Sequence, residues 1–225
     1  CLGALMVFCF FTRSTQCMDS DMASEILLAK ECFLKKTFWP RTWFYSTEIR
    51  MLNTQLVSAP LFLFTSNWFV IKGLTAVFTC AILALSLYFL LLQLNIRKTW
   101  IQLFCCVLSI CPVSVDMYQY ALFGNYYVPH IVMSFIYLGL FFMVTGKPQT
   151  DADKKHAFSA GQILFFITAF MSGFSTIRYI IIYTFPLALV CTAVLLVSQF
   201  KDFVSFNLKE FFLKNKTVFY SITGL

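Results

Sequence analysis

The chain has 225 residues, of which 60% are hydrophobic, 19% aromatic and only 12% charged, with a formal net charge of +7. A water-soluble domain carries about 25% charged residues, so this composition excludes an ordinary soluble globule and predicts an integral membrane protein. The positive balance does not point to nucleic acid, because Lys and Arg are scattered in short loops between apolar runs, as the positive-inside rule distributes them.

The first eleven residues, CLGALMVFCFF, make about half of the ~20 apolar residues that cross a bilayer. No basic stretch precedes them and no small-residue cleavage site follows, so they do not read as a signal peptide. They read as the second half of a spanning helix, and TVFYSITGL at the other end reads as the start of a new one. Residues 1–225 are therefore expected to be a single transmembrane domain cut from a longer protein. Residues 12–67 form a long loop with its own helices. Within it Met22, Ile26, Ala29 and Phe33 recur at helical spacing. Asp19, Ser20 and Asp21 precede that stripe, as short polar caps and negative charge precede a helix. An amphipathic helix lying on the membrane surface is the expectation. A second helix is predicted over Thr47–Phe64, kinked near Pro60, and the aromatic turn FWPRTWFY between the two suits headgroup depth.

Five apolar runs follow: Trp68–Leu94, Thr99–Val115, Tyr126–Thr145, Ala157–Ser175 and Ile180–Gln199. They are too long for buried strands, and backbone in lipid must be helical. The predicted fold is all-α: a polytopic integral membrane protein of about six transmembrane helices, with an amphipathic surface helix in a long first outer loop. Arg97 and Lys98, then Lys147, Lys154 and Lys155, then Lys201, Lys209, Lys214 and Lys216 mark alternate loops, whereas 112–126 has no Lys or Arg and 173–179 only Arg178. The basic loops should be cytoplasmic. The first loop is then extracytoplasmic and the protein multi-pass in the plasma membrane. The sequon Asn215-Lys216-Thr217 falls on the inner side, where it goes unused. Lys72, near the outer end of its run, is expected to snorkel. Most of the nine cysteines read as small hydrophobes; Cys17 and Cys32 share the first loop and are a candidate pair only if that loop is extracytoplasmic.

Of ten acidic residues, three fall within MDSDMASE: Asp19, Asp21 and Glu25. The simplest reading is that the aspartates cap a helix and Glu25 faces water or pairs with Arg50 or Lys30. The functional reading uses location. A carboxylate at the outer surface meets a lipid-linked donor from the bilayer and a polar acceptor from water, and can take the acceptor's hydroxyl proton. Asp19-x-Asp21 offers oxygen ligands to a divalent cation such as magnesium or manganese. Arg178, in SGFSTIRYIIIYTFP, offers a planar fork for a phosphate, or else anchors at the headgroups. His130, in GNYYVPHI, is a hydrogen-bonding residue or a catalyst at the mouth of a run. Asp116 and Tyr118 share that outer edge and are candidates for binding a sugar.

Together the acidic motif after the first span, the long first loop and the many later spans resemble the GT-C class of membrane glycosyltransferases, which includes protein mannosyltransferases and lipid A aminoarabinose transferases. DMASEILLAK followed by WFYSTEIRMLNTQLVSAPLFLFTSNW is similar to the first loop of a bacterial subgroup, and IRYIIIYTFP to its late Arg-then-apolar-then-Pro pattern. The resemblance implies a hexosyltransferase of the cell envelope that uses a polyprenyl-phosphate sugar donor on the outer membrane face. It makes Asp21, or else Asp19, the first-loop acidic residue. Members of the class usually have more spans, and often a soluble C-terminal domain. The alternatives are a transporter or permease fragment and a non-catalytic membrane assembly protein. A transporter tends to place ionisable residues at mid-membrane, whereas the runs here are nearly free of charge.

Overall fold

The computed structural model describes residues 2–45, 52–145 and 151–201. Arg50, residues 47–51 of the predicted Thr47–Phe64 helix, Lys147, the basic segment after Lys201 and the Asn215 sequon lie outside them. Among the described residues every element is helical and no strand occurs. In chain order these are α1 Leu2–Thr12, α2 Ser14–Cys17, α3 Ser20–Lys35, α4 Gln55–Leu61, α5 Trp68–Gln93, α6 Thr99–Ile110, α7 Val128–Thr145, α8 Asp151–Ser175, α9 Ile177–Tyr179 and α10 Phe185–Lys201. Two π-helical turns interrupt the set, Met117–Phe123 before α7 and Ile180–Thr184 between α9 and α10.

Local chemistry sets the boundaries. Asn67 caps α5, its Oδ1 accepting from the amides of Phe69 at 3.0 Å and Val70 at 3.4 Å. The α5–α6 turn passes through Asn95 at φ 60°, a left-handed conformation that Asn tolerates, and the Gln102 side chain donates to the Ile96 carbonyl across it at 2.7 Å. The run predicted over Thr99–Val115 forms a helix only to Ile110, because Pro112 disfavours helical backbone at Cys111, which is extended at ψ 115°. Of the predicted Thr47–Phe64 helix, residues 52–64 are described, and only Gln55–Leu61 among them is helical. Pro60 stands in its last turn and ends it rather than kinking a longer one.

Contacts fix the directions of the helices. The end of α1 meets the start of α5, with Phe10 packed on Ala76 and the Phe11 ring over Gly73. α6 returns along α5, Cys106 Sγ donating to the Ala84 carbonyl at 3.4 Å. α7 runs in the same direction as α5: Leu83 packs with Val128 and Val132, and the Phe89 ring fills the notch at Gly139. α8 runs back, placing Phe165 on Tyr137 at a ring separation of 4.7 Å. α9 and α10 turn once more, with Tyr179 on His130 at 4.7 Å and Tyr183 on Tyr137 at 4.6 Å. The first loop, the 111–127 connection and the Ser175–Tyr179 turn therefore gather at one end of the bundle.

α5 and α7 are long and apolar enough to cross a membrane; α6 and the apolar parts of α8 and α9–α10 are shorter. At 12 residues α6 is about 18 Å long, well short of the ~30 Å hydrocarbon thickness. The polar side chains of the long helices are turned into the bundle among its apolar core, and large apolar ones are turned out. On α5, Lys72, Thr75, Thr79 and Ser86 are buried while Phe78, Ile82, Leu85 and Leu92 are exposed. Thr75 and Ser86 satisfy themselves on their own helix, donating to the Ile71 carbonyl at 2.7 Å and the Leu83 carbonyl at 2.8 Å. α8 likewise buries Thr168, Ser172 and Ser175 and exposes Ile163, Ile167 and Phe170.

The α5–α7 contact needs glycine. A Cβ at residue 139 would strike the Phe89 ring. Gly139→Ala is expected to lower stability by about 1–3 kcal/mol through overpacking, and Phe89→Leu in the same chain should recover part of it. Thermal unfolding in detergent checks this, and an unchanged midpoint for Gly139→Ala would contradict the packing.

Candidate functional site

α3 carries the acidic motif, and its start is built as the sequence predicts. Asp19 is the cap, with extended backbone at ψ −179°, and its Oδ1 accepts from the Met22 amide at 2.9 Å. The same oxygen accepts from the Tyr126 hydroxyl at 2.7 Å, tying the head of α3 to the strap before α7. Burial first, and then this bond to a carboxylate, push the Tyr126 phenol well above its ordinary range, so it stays a neutral donor. Asp21 lies in the first turn with its side chain exposed, where the positive end of the helix favours a carboxylate.

Glu25 corrects the expectation. It does not face water but is 8% exposed and points into the bundle, and its described cation partner is Lys72 rather than Lys30; Arg50, the other expected partner, lies outside the described residues. The apolar stripe beside Glu25 is also covered by protein rather than by a membrane surface, since Met22, Ile26 and Ala29 are buried. Lys72 from α5 comes within 3.6 Å of Glu25 Oε2, and Thr54 donates its hydroxyl to the same oxygen at 3.3 Å. Lys72 does not snorkel. It is 2% exposed, and its ammonium also donates to the Gly124 carbonyl at 3.0 Å. A charge buried this deeply has to be paired and hydrogen-bonded. Gly124 ends the first π-helical turn, where a Cβ would stand 2.8 Å from the Gln119 carbonyl oxygen, so only glycine brings this acceptor to Lys72.

The residues just after the undescribed part of the first loop connect this cluster to the second candidate set. The Leu52 amide donates to Ser175 Oγ at 3.2 Å, and the Tyr179 hydroxyl donates to the Leu52 carbonyl at 3.0 Å. Tyr179 stacks on buried His130. Between Ser175 and Tyr179 the Thr176 hydroxyl caps α9 by accepting from the Arg178 amide at 3.2 Å, and the Arg178 side chain is exposed. The fold thus brings the Asp19–Glu25 helix, His130 and the Arg178 turn to one end of the bundle through named contacts. Asp116 and Tyr118 do not form a common polar edge. Asp116 is exposed, whereas the Tyr118 ring stacks on Phe10 at 5.6 Å and Phe123 at 6.2 Å with its hydroxyl buried. Burial pushes that phenol up to about 12, and Tyr118 serves as core.

For a divalent cation the fit is poor. Asp19 Oδ1 already takes two hydrogen bonds, and among the described residues no three His, Cys, Asp or Glu side chains come together as a metal-holding group. Cys17 and Cys32 are free thiols.

Lys72, Tyr126, Thr54 and Tyr179 were not in the predicted site. Only Lys72 gave a signal, as the one charge in a 27-residue apolar run, and an intramembrane ionisable residue is a functional candidate by default. Lys72→Met or Glu25→Gln alone is expected to cost about 3–5 kcal/mol by stranding the other partner. The double variant Lys72→Met/Glu25→Gln should be less destabilised than the sum of the two. Melting curves of all four proteins check this, and additive losses would contradict a direct pair. The chain matches no protein-family model, no curated protein and no solved structure.

Proposed function

We propose that the chain is the core of a polytopic membrane glycosyltransferase of the GT-C type, transferring a sugar from a polyprenyl-phosphate donor to a hydroxyl acceptor on the outer membrane face. The observation that carries this reading is the division of labour among the three carboxylates. Asp19 is held by Tyr126 and Glu25 by Lys72, while Asp21, on the same first turns, stays exposed. A rigid helix head thereby presents one carboxylate at the bundle end that also presents Arg178.

The membrane setting rests on the two helices long enough to span, the apolar exterior with polar side chains turned inward, and the Lys/Arg pattern of the loops. In this reading α1, α5, α6, α7, α8 and α9–α10 are the six spans, α6 being a shortened one. The bundle end bearing Asp21 faces outward. Asp21 takes the acceptor's hydroxyl proton, the acceptor oxygen bonds to the sugar's anomeric carbon, and the bond from that carbon to the phosphate oxygen breaks. Polyprenyl phosphate departs with its charge met by the Arg178 guanidinium. A transporter is the second reading. The buried Lys72 favours it, since an ionisable residue within a span marks ion and substrate paths.

Asp21→Asn keeps the shape and helix-end position but loses the proton affinity, so it should cut turnover in the intact protein by about 10²–10⁴ with the melting curve unmoved. Arg178→Lys should weaken donor use, because the ammonium lacks the planar fork. Assay with a polyprenyl-phosphate sugar checks both, and full activity of Asp21→Asn would sink the catalytic reading. For orientation, single cysteines on a Cys-free background are expected to react with an impermeant thiol reagent added outside at position 21 and not at position 98. The reverse pattern would overturn the topology.

A further inference from the structure

The segment that follows α3 stands out by its surface. Lys36 ends the helix in a left-handed conformation at φ 50°, its amide donating to the Cys32 carbonyl. The chain then turns back on itself, with the Trp43 amide donating to the Pro40 carbonyl at 3.1 Å. This turn exposes large apolar side chains: Phe38 is 76% exposed, Trp39 43% and Phe44 88%. Between residues 30 and 45 four cations, Lys30, Lys35, Lys36 and Arg41, stand against one carboxylate, Glu31. Lys35 is engaged with Glu31 at 2.8 Å; Lys30, Lys36 and Arg41 are exposed.

The position of the turn shows what it faces. Trp39 packs edge-on against Phe174 at a ring separation of 6.2 Å. Phe174 stacks on Phe170 at the end of the exposed apolar stripe of α8. The aromatic turn is therefore joined through Trp39 to that outward stripe at the end of the bundle, and exposed Lys36 and Arg41 belong to the same turn. Aromatic rings with adjoining Lys and Arg are the composition of the headgroup layer. A net positive border adds attraction to anionic headgroups, worth a few-fold in partition per cation.

From this continuity and charge we infer that the Lys36–Tyr45 turn, with Lys30 beside it, is a headgroup-level docking surface for anionic phospholipid of the surrounding bilayer. The inference rests on the membrane reading above and adds lipid selectivity to it. The rings enter the interface beside α8, and Lys30, Lys36 and Arg41 meet lipid phosphates there. Lys36 and Arg41 flank Trp39 in sequence, so Trp39 reports on the lipid they recruit.

The test uses the whole chain in lipid nanodiscs, with Trp43, Trp68 and Trp100 replaced by Phe so that Trp39 alone reports. Quenching of Trp39 is measured with acyl-brominated phosphatidylglycerol and, separately, with acyl-brominated phosphatidylcholine. The glycerol lipid is expected to quench at a lower mole fraction, on the order of fivefold lower for each cation engaged. The difference should shrink as salt is raised and vanish in Lys30→Gln/Lys36→Gln/Arg41→Gln. Equal quenching by the two lipids at low salt overturns the inference while leaving the membrane reading intact, and it needs no charge variant to fold. A preference that survives in the triple variant also overturns it. A chain that does not enter the discs, and remains soluble without detergent, overturns both.

Discussion

The ammonium of Lys72 is the constraint around which the rest is arranged. A charge at 2% exposure in the first turns of an apolar helix has little water to solvate it, and the protein must supply what water would. It does so with two groups remote in sequence, the Glu25 carboxylate and the Gly124 carbonyl. Each holds a different piece in place. Glu25 fixes α3 across the start of α5, and Gly124 fixes the π-helical strap that leads into α7. Thr54, on the same carboxylate, adds the approach to α4. One buried cation thus joins four segments: α5, α3, the strap before α7 and, through Glu25, the approach to α4.

The position of Asp21 follows from that arrangement. A helix head capped only by its own Asp19 would be free to pivot. Here Asp19 also receives the Tyr126 hydroxyl and Glu25 is anchored one turn further on, so both sides of Asp21 are held. Preorganisation of this sort lets a general base act without first being ordered. The Leu52 backbone carries the constraint further, to Ser175 and Tyr179 and so to the turn that presents Arg178. The carboxylates of α3 are divided by depth: Glu25 is buried and paired with Lys72, and Asp21 is exposed.

Much of the fold was legible because its signals are local. The Asp-Ser-Asp run before an apolar stripe places the start of α3, and the apolar runs locate α5, α6, α7 and the apolar parts of α8 and α10. The misreadings share one cause. Periodicity tells which side chains share a face and says nothing of what covers it, so the Met22–Ile26–Ala29 stripe was taken for a membrane-facing surface when α3 buries it in protein. Whether a lysine snorkels or stays buried depends on a partner, and Glu25 lies 47 residues from Lys72 with no local mark of the pairing. Tyr126 and Tyr179 are likewise ordinary interface tyrosines until the fold brings Asp19 and Leu52 to them. Tyr118 failed as a sugar-binding candidate for the opposite reason: its ring found Phe10 and Phe123, and stacking left nothing polar exposed.

Backbone hydrogen exchange on the protein in lipid nanodiscs, with and without Lys72→Met, tests most directly whether this one cation holds the acidic helix. The amides of α3 and of the strap around Gly124 should lose protection together in the variant, while those in the middle of α7 remain protected. If α3 keeps its protection when Lys72 is gone, apolar packing holds it, and the buried ion pair is not what positions Asp21.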